Sequence, residues 1–62
     1  MDTTVAIFSV NAEINYLVIK LDDDSFIVKR SDRDEIEERG TDQRKLEQAA
    51  QQLAADLAWA LE

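Results

Sequence analysis

The chain has no cysteine, no histidine and no proline, and one glycine in 62 residues. Each absence removes a class of chemistry. Without cysteine no disulfide can staple the fold, and the lack fits a reducing compartment. Zinc sites are built from Cys and His, so a zinc centre is not expected. The common general base and the thiolate nucleophile are also gone. Ser9, Ser25 and Ser31 have no evident base beside them, and Lys20, Lys29 and Lys45 sit in ordinary surface contexts. Gly40 alone cannot form a phosphate-cradling loop, and no P-loop or dinucleotide fingerprint occurs. No catalytic residue, cofactor or metal ligand is therefore assigned, and no enzyme is expected.

Long apolar runs are missing too. No stretch approaches the roughly 20 residues of a membrane-spanning helix, and residues 1–15 lack the basic and apolar regions of a signal peptide. A cytoplasmic protein that does not meet a membrane is expected. Positive charge is scarce: seven basic residues stand against fourteen acidic ones, a formal net charge of −7. Direct nucleic-acid binding is disfavoured by that balance. Hydrophobic residues make up 45% of the chain, enough for a folded domain rather than a disordered tail. Residues 1–62 are read as one small domain. A domain this short is marginal alone, and with disulfides and zinc set aside, packing and self-association are the remaining supports.

What is present is organised around residues 41–62. This run holds no Gly, Pro or β-branched residue after Thr41 and is rich in Ala, Leu, Gln and Glu, all strong helix formers except for the capping positions. Thr41 is the expected N-cap, with Asp42 favouring the helix dipole from the first turn. At 100° per residue, Leu46, Ala49, Ala50, Leu53, Ala54, Leu57, Ala60 and Leu61 form one apolar stripe. That stripe is read as the core face. Gln48, Gln51, Gln52, Ala55 and Trp59 fall on the other side, with Ala58 beside them. A tryptophan among glutamines either folds over the end of its own domain or anchors a contact, where Trp is enriched.

Three strands are expected upstream. Residues 3–10 (TTVAIFSV), 13–21 (EINYLVIKL) and 26–30 (FIVKR) are rich in β-branched and aromatic residues. Asn11-Ala12 and Asp22-Asp23-Asp24-Ser25 supply the turns between them. In the second strand Leu17, Ile19 and Leu21 alternate with Ile14, Tyr16 and Val18, so both faces are apolar and the strand is central. One helix cannot cover both faces of a sheet, so a dimer or a standing partner is expected on the second. Lys29 and Arg30 suit an edge strand. The three aspartates fail as a calcium loop: counting from Asp22, the sixth residue is Ile27 and the twelfth Arg33, where Gly and Glu are needed.

Residues 32–39 are read as a short acidic helical turn, Ser31 and Asp34 resembling a capping box, pinned by Ile36 and either ended at Gly40 or running through it into the long helix at a cost of about 1 kcal/mol. The expected fold is thus α+β: a three-stranded antiparallel sheet, an acidic helical turn, and one long C-terminal amphipathic helix packed on the sheet. The expected function is that of a small acidic interaction module, homodimeric, with a contact surface drawn from Trp59, Ala55 and Ala58 or from an open sheet face around Tyr16. The alternative is an acidic inhibitor or nucleic-acid mimic, in which Asp34, Glu35, Glu37 and Glu38 block the site of a basic protein. A direct DNA contact through Lys29, Arg30 and Arg33 is the weakest of the binding readings. The expected partner is a second copy of the chain, with a basic protein as the alternative.

Overall fold

A computed structural model describes residues 2–61. The order is β1 (Thr3–Ser9), β2 (Asn15–Lys20), β3 (Phe26–Arg30), β4 (Ile36–Gly40) and α1 (Gln43–Ala60). The strands form one antiparallel meander in chain order, with β1 and β4 at the edges. The fold is α+β with one C-terminal helix, as expected, but the sheet has four strands, not three. Met1 and Glu62, the expected helix end, lie outside the described residues.

The segment read as an acidic helical turn is largely β4. Glu and Arg favour helices in isolation, which is why the segment reads that way. The neighbouring strand decides otherwise. Phe26, Ile27 and Val28 of β3 are all buried, and a buried strand with one unpaired edge would leave main-chain groups without partners. Residues 36–40 supply them, and β3, expected at an edge for its Lys29 and Arg30, becomes an inner strand. Ser31 is no cap either: its hydroxyl oxygen accepts the Asn15 amide at 2.9 Å, and its own N–H donates to the Asn15 carbonyl at 2.8 Å.

Local chemistry sets the turns. Asn11 Oδ1 accepts the amides of Glu13 and Ile14 at 2.8 and 2.9 Å, closing the β1–β2 loop. In the β2–β3 hairpin, Leu21 and Ser25 pair and Asp24 takes φ 66°, the left-handed residue of a three-residue loop. The chain then breaks between β4 and α1, and Gly40 is the last residue of β4 rather than a helical one. A Cβ there would stand 2.9 Å from Leu46 Cδ2, so glycine lets the first helical turn close over the strand end. The N-cap is Asp42, one residue later than expected; its carboxylate accepts the amides of Arg44 and Lys45 at 3.0 and 3.4 Å. A carboxylate serves both the orphan amides and the dipole, which the Thr41 hydroxyl could do only in part.

Leu46, Ala50 and Ala54 of α1 pack on Tyr16, Val18, Phe26 and Val28, with Val5, Ala6, Phe8, Val10, Leu53 and Leu57 around them. Residues opposite one another in the ladder share a face. The helix-covered face therefore runs Ala6–Val18–Val28 and Phe8–Tyr16–Arg30. The opposite face has Lys29 set between Leu17 and Ile36. The helix-covered face offers the aromatics Phe8, Tyr16 and Phe26 with Val18 and Val28, and the cation in its rows, Arg30, is forked onto Asp32.

Candidate interaction surfaces

Two apolar surfaces are left over. The larger is the sheet face turned away from α1. Its rows are Thr4–Ile19–Ile27–Arg39 and Ile7–Leu17–Lys29–Ile36, with Ser9 and Asn15 at one end. Ile7 is 62% exposed and Ile36 46%. Ile27 is 6% exposed yet belongs to no part of the helix-side core, so its neighbours on this face close over it. The result is a half-core: a close-packed aliphatic layer with one side open. None of the register-matched positions on it is acidic, and two, Lys29 and Arg39, are cationic. Lys29 Nζ bonds Asp34 at 2.7 Å, and this bond holds the Asp34 carboxyl below its ordinary value. Two hydrogen bonds from Ser25 do the same for Asp23, with a smaller contribution from the Arg39 charge.

The second surface is the C-terminal end of α1. Trp59 is 79% and Leu61 56% exposed, and Ala60 is exposed with them. Length explains this. An 18-residue helix spans about 27 Å, and the six residues of β2 span about 20 Å. The last turn has no sheet beneath it, so Ala60 and Leu61 leave the buried stripe they were assigned to. Ala55 is exposed and Ala58 half-buried.

Tyr16 does not belong to either surface. It is buried in the core under α1, so the open sheet face is the Leu17 face and not the one around Tyr16. The two faces of β2 are equally apolar in sequence, and each has a cation beside it on β3, Lys29 on one face and Arg30 on the other, so the sequence of β2 alone does not separate them. Ile7 and Ile36 went unnoticed as site residues. Strand alternation signals Ile7, but Ile36 could be found only by reading residues 36–40 as a strand.

The acidic residues are dispersed. Asp34 and Glu35 lie in the β3–β4 loop; Glu37, half-buried, and exposed Glu38 lie on β4. They do not line one side of a helix. Several acids are bound to the chain's own cations: Arg30 forks onto Asp32 through Nε at 2.9 Å and Nη2 at 2.6 Å, Lys29 holds Asp34, and Lys20 stands 3.6 Å from Asp24. The Arg30 fork is also the main cause of the lowered pKa of Asp32. The same pairs occupy Lys29 and Arg30, the core of the basic cluster considered for DNA.

Two shallow depressions, of about 260 Å³ beside Thr3, Lys20 and Asp24 and about 370 Å³ along Gln48, Gln51, Gln52 and Ala55, open broadly to solvent. Among the described residues no three carboxylates are grouped to hold a metal ion, and no helix is long and apolar enough to cross a membrane. Compared with known proteins, the chain matches no family model, and neither a curated protein nor a solved structure is significantly similar to it.

Proposed function

We propose that this protein is a small acidic, non-enzymatic interaction module of the cytoplasm that works as a homodimer and docks another protein on its open sheet face. The observation that carries the reading is the half-core of Ile7, Leu17, Ile19, Ile27 and Ile36. A chain this short has little apolar area to spare, and an aliphatic layer of this extent left to water favours aggregation unless it is used. The chemistry of the face suits an amphipathic segment with an apolar stripe and carboxylates at its flank. The stripe fits the aliphatic rows, and a carboxylate meets Arg39, Lys29 being held by Asp34. Arg39 disfavours a second copy in that place, because a face-to-face dimer would bring the two like charges together.

Affinity capture from a cell extract with three baits tests this. Wild type and Trp59→Glu should retain a common partner, and Ile36→Glu, folded by circular dichroism, should lose it. A partner that binds Ile36→Glu as well as wild type, or that Trp59→Glu loses, would move the site off the open face.

A further inference from the structure

The two edges of the sheet are unlike. β4 carries Glu37, Glu38 and Arg39 in five residues, the kind of charge that keeps an edge from pairing. β1 is the longest strand, Thr3–Ser9 (TTVAIFS), and has no charged residue at all. Its outer main-chain groups can be identified. Both main-chain groups of Asn15 bond Ser31, the N–H donating to its hydroxyl oxygen and the C=O accepting its N–H, so they point toward β3. Main-chain direction alternates along an antiparallel strand, so Tyr16 points to β1 and meets Phe8, its partner in register. The bond from Val10 N–H to the Ile14 carbonyl has the same phase. The N–H and C=O groups of Ile7 and Ser9 therefore point out of the sheet.

We infer that β1 pairs antiparallel with β1 of a second copy about a two-fold axis at Phe8, perpendicular to the sheet. This rests on the homodimer reading above and gives it a geometry. In this register Ile7 lies opposite Ser9 of the other copy, and their outward groups close four main-chain hydrogen bonds. A register centred on Ile7 would instead set Ser9 against the bulged stretch between Thr4 and Ala6 and disrupt the ladder there. Phe8 lies opposite its own copy as the close, non-hydrogen-bonded pair, an aromatic cross-strand contact. Antiparallel self-pairing is isologous and closes at two. Two chains of charge −7 can meet at β1 because that edge is free of charge. The paired stretch, residues 7–9 of each β1, is roughly 10 Å long and 10 Å thick, small for a specific interface, which makes the dimer reversible with concentration. Both helices fall on one side, and the two open faces join into a single floor eight strands wide for the docked partner.

Sedimentation equilibrium across a wide concentration range tests the inference. Wild type should show a monomer–dimer equilibrium. Ser9→Pro removes an outward N–H while leaving the β1–β2 ladder intact, as proline is tolerated on an edge. It should weaken the dimer by about tenfold or more, whereas Ile36→Glu should leave it unchanged. A second measurement does not depend on the proline variant folding. The chain has no other thiol, so Ile7→Cys and Ser9→Cys can be mixed in equal amounts and oxidised with oxidised glutathione. The mixed disulfide should make up well more than the half share that random pairing of equal amounts gives. A wild type that stays monomeric, a dimer indifferent to folded Ser9→Pro, or a random mixture of disulfides would each overturn the pairing. None of these results bears on Ile36→Glu capture, so the docking face stands or falls separately.

Discussion

Val18 and Leu17 are neighbours on β2 that point to opposite faces, and truncating each to alanine measures where α1 lies. Val18 is fully buried between Ala6 and Val28 beneath the helix. Val18→Ala deletes two methyl groups, about 1.6 kcal/mol of transfer free energy. Incomplete collapse adds up to about 1.2 kcal/mol, if roughly 50 Å³ stays empty. Leu17→Ala deletes more carbon, but Leu17 is half-exposed on the open face, so about half of some 2.4 kcal/mol is lost and no cavity forms. The expected costs are therefore about 2–3 kcal/mol for Val18→Ala and about 1 kcal/mol for Leu17→Ala, the reverse of side-chain size.

A domain of this length holds only about 3–9 kcal/mol in total, so the difference is large. At a urea dependence near 1 kcal/mol per molar for so small a chain, the midpoints should fall by about 2–3 M and 1 M. Unfolding should be followed by far-ultraviolet circular dichroism, since Trp59 is exposed in the fold and a poor reporter. Equal costs, or a larger one for Leu17→Ala, would mean that the helix does not cover the Val18 face.

Asp42→Ala should lower the melting temperature by about 4–8 °C, the effect of losing an N-cap of about 1 kcal/mol, while Thr41→Ala should be nearly silent; a thermal scan of both decides whether the cap is Asp42. Asp24 is non-glycine at positive φ, so Asp24→Gly should raise stability by roughly 0.5–1 kcal/mol in urea unfolding. The carboxyls of Asp23, Asp32 and Asp34 are held below their ordinary values by Ser25, Arg30 and Lys29. They favour the fold while ionised, so their contribution is complete above the unfolded carboxylate range near pH 4 and is lost as pH falls through the lower folded values. Melting temperature plotted against pH should be flat near neutrality and fall below about pH 4, and Asp34→Asn should make that fall shallower.

The elements legible in the sequence are those whose local and tertiary preferences agree. Residues 43–60 are helix formers with an apolar stripe, and Leu46, Ala50 and Ala54 land in the core as the periodicity requires. β1, β2 and β3 are equally plain in their β-branched content. β4 was not legible because its reason for being a strand lies in β3: Ile36, Glu37, Glu38 and Arg39 pair there to satisfy main-chain groups on a strand already buried. The misassigned site residue has the same origin. Tyr16 and Leu17 are interchangeable in an alternating apolar strand, and the face goes with residues distant in sequence and beside them only across the ladders, where Phe8 and Val28 join the helix-side core. Trp59 was legible as an outward residue, but the reason, a helix longer than the sheet it covers, needed the strand lengths.

The unlike edges have a consequence for assembly. If β1 could pair with β4 of another copy, the contact would be heterologous, and repetition without closure would build a filament. The charges of β4 oppose that outcome, while β1 pairing with β1 uses up the one uncharged edge and stops at two. Glu38→Thr with Arg39→Thr should expose the point. Both substitutions raise β propensity and remove edge charge, so the β3–β4 ladder should persist or strengthen while the guard against further pairing is lost. At high concentration this double variant should scatter light and bind an amyloid-type dye, and wild type should not. Adding Ser9→Pro should suppress the growth, because every β1–β4 contact also needs the outward groups of β1. A double variant that remains a discrete dimer would show that β4 is kept from pairing by something other than its charge; growth that persists with Ser9→Pro would show that β1 is not the edge that recruits.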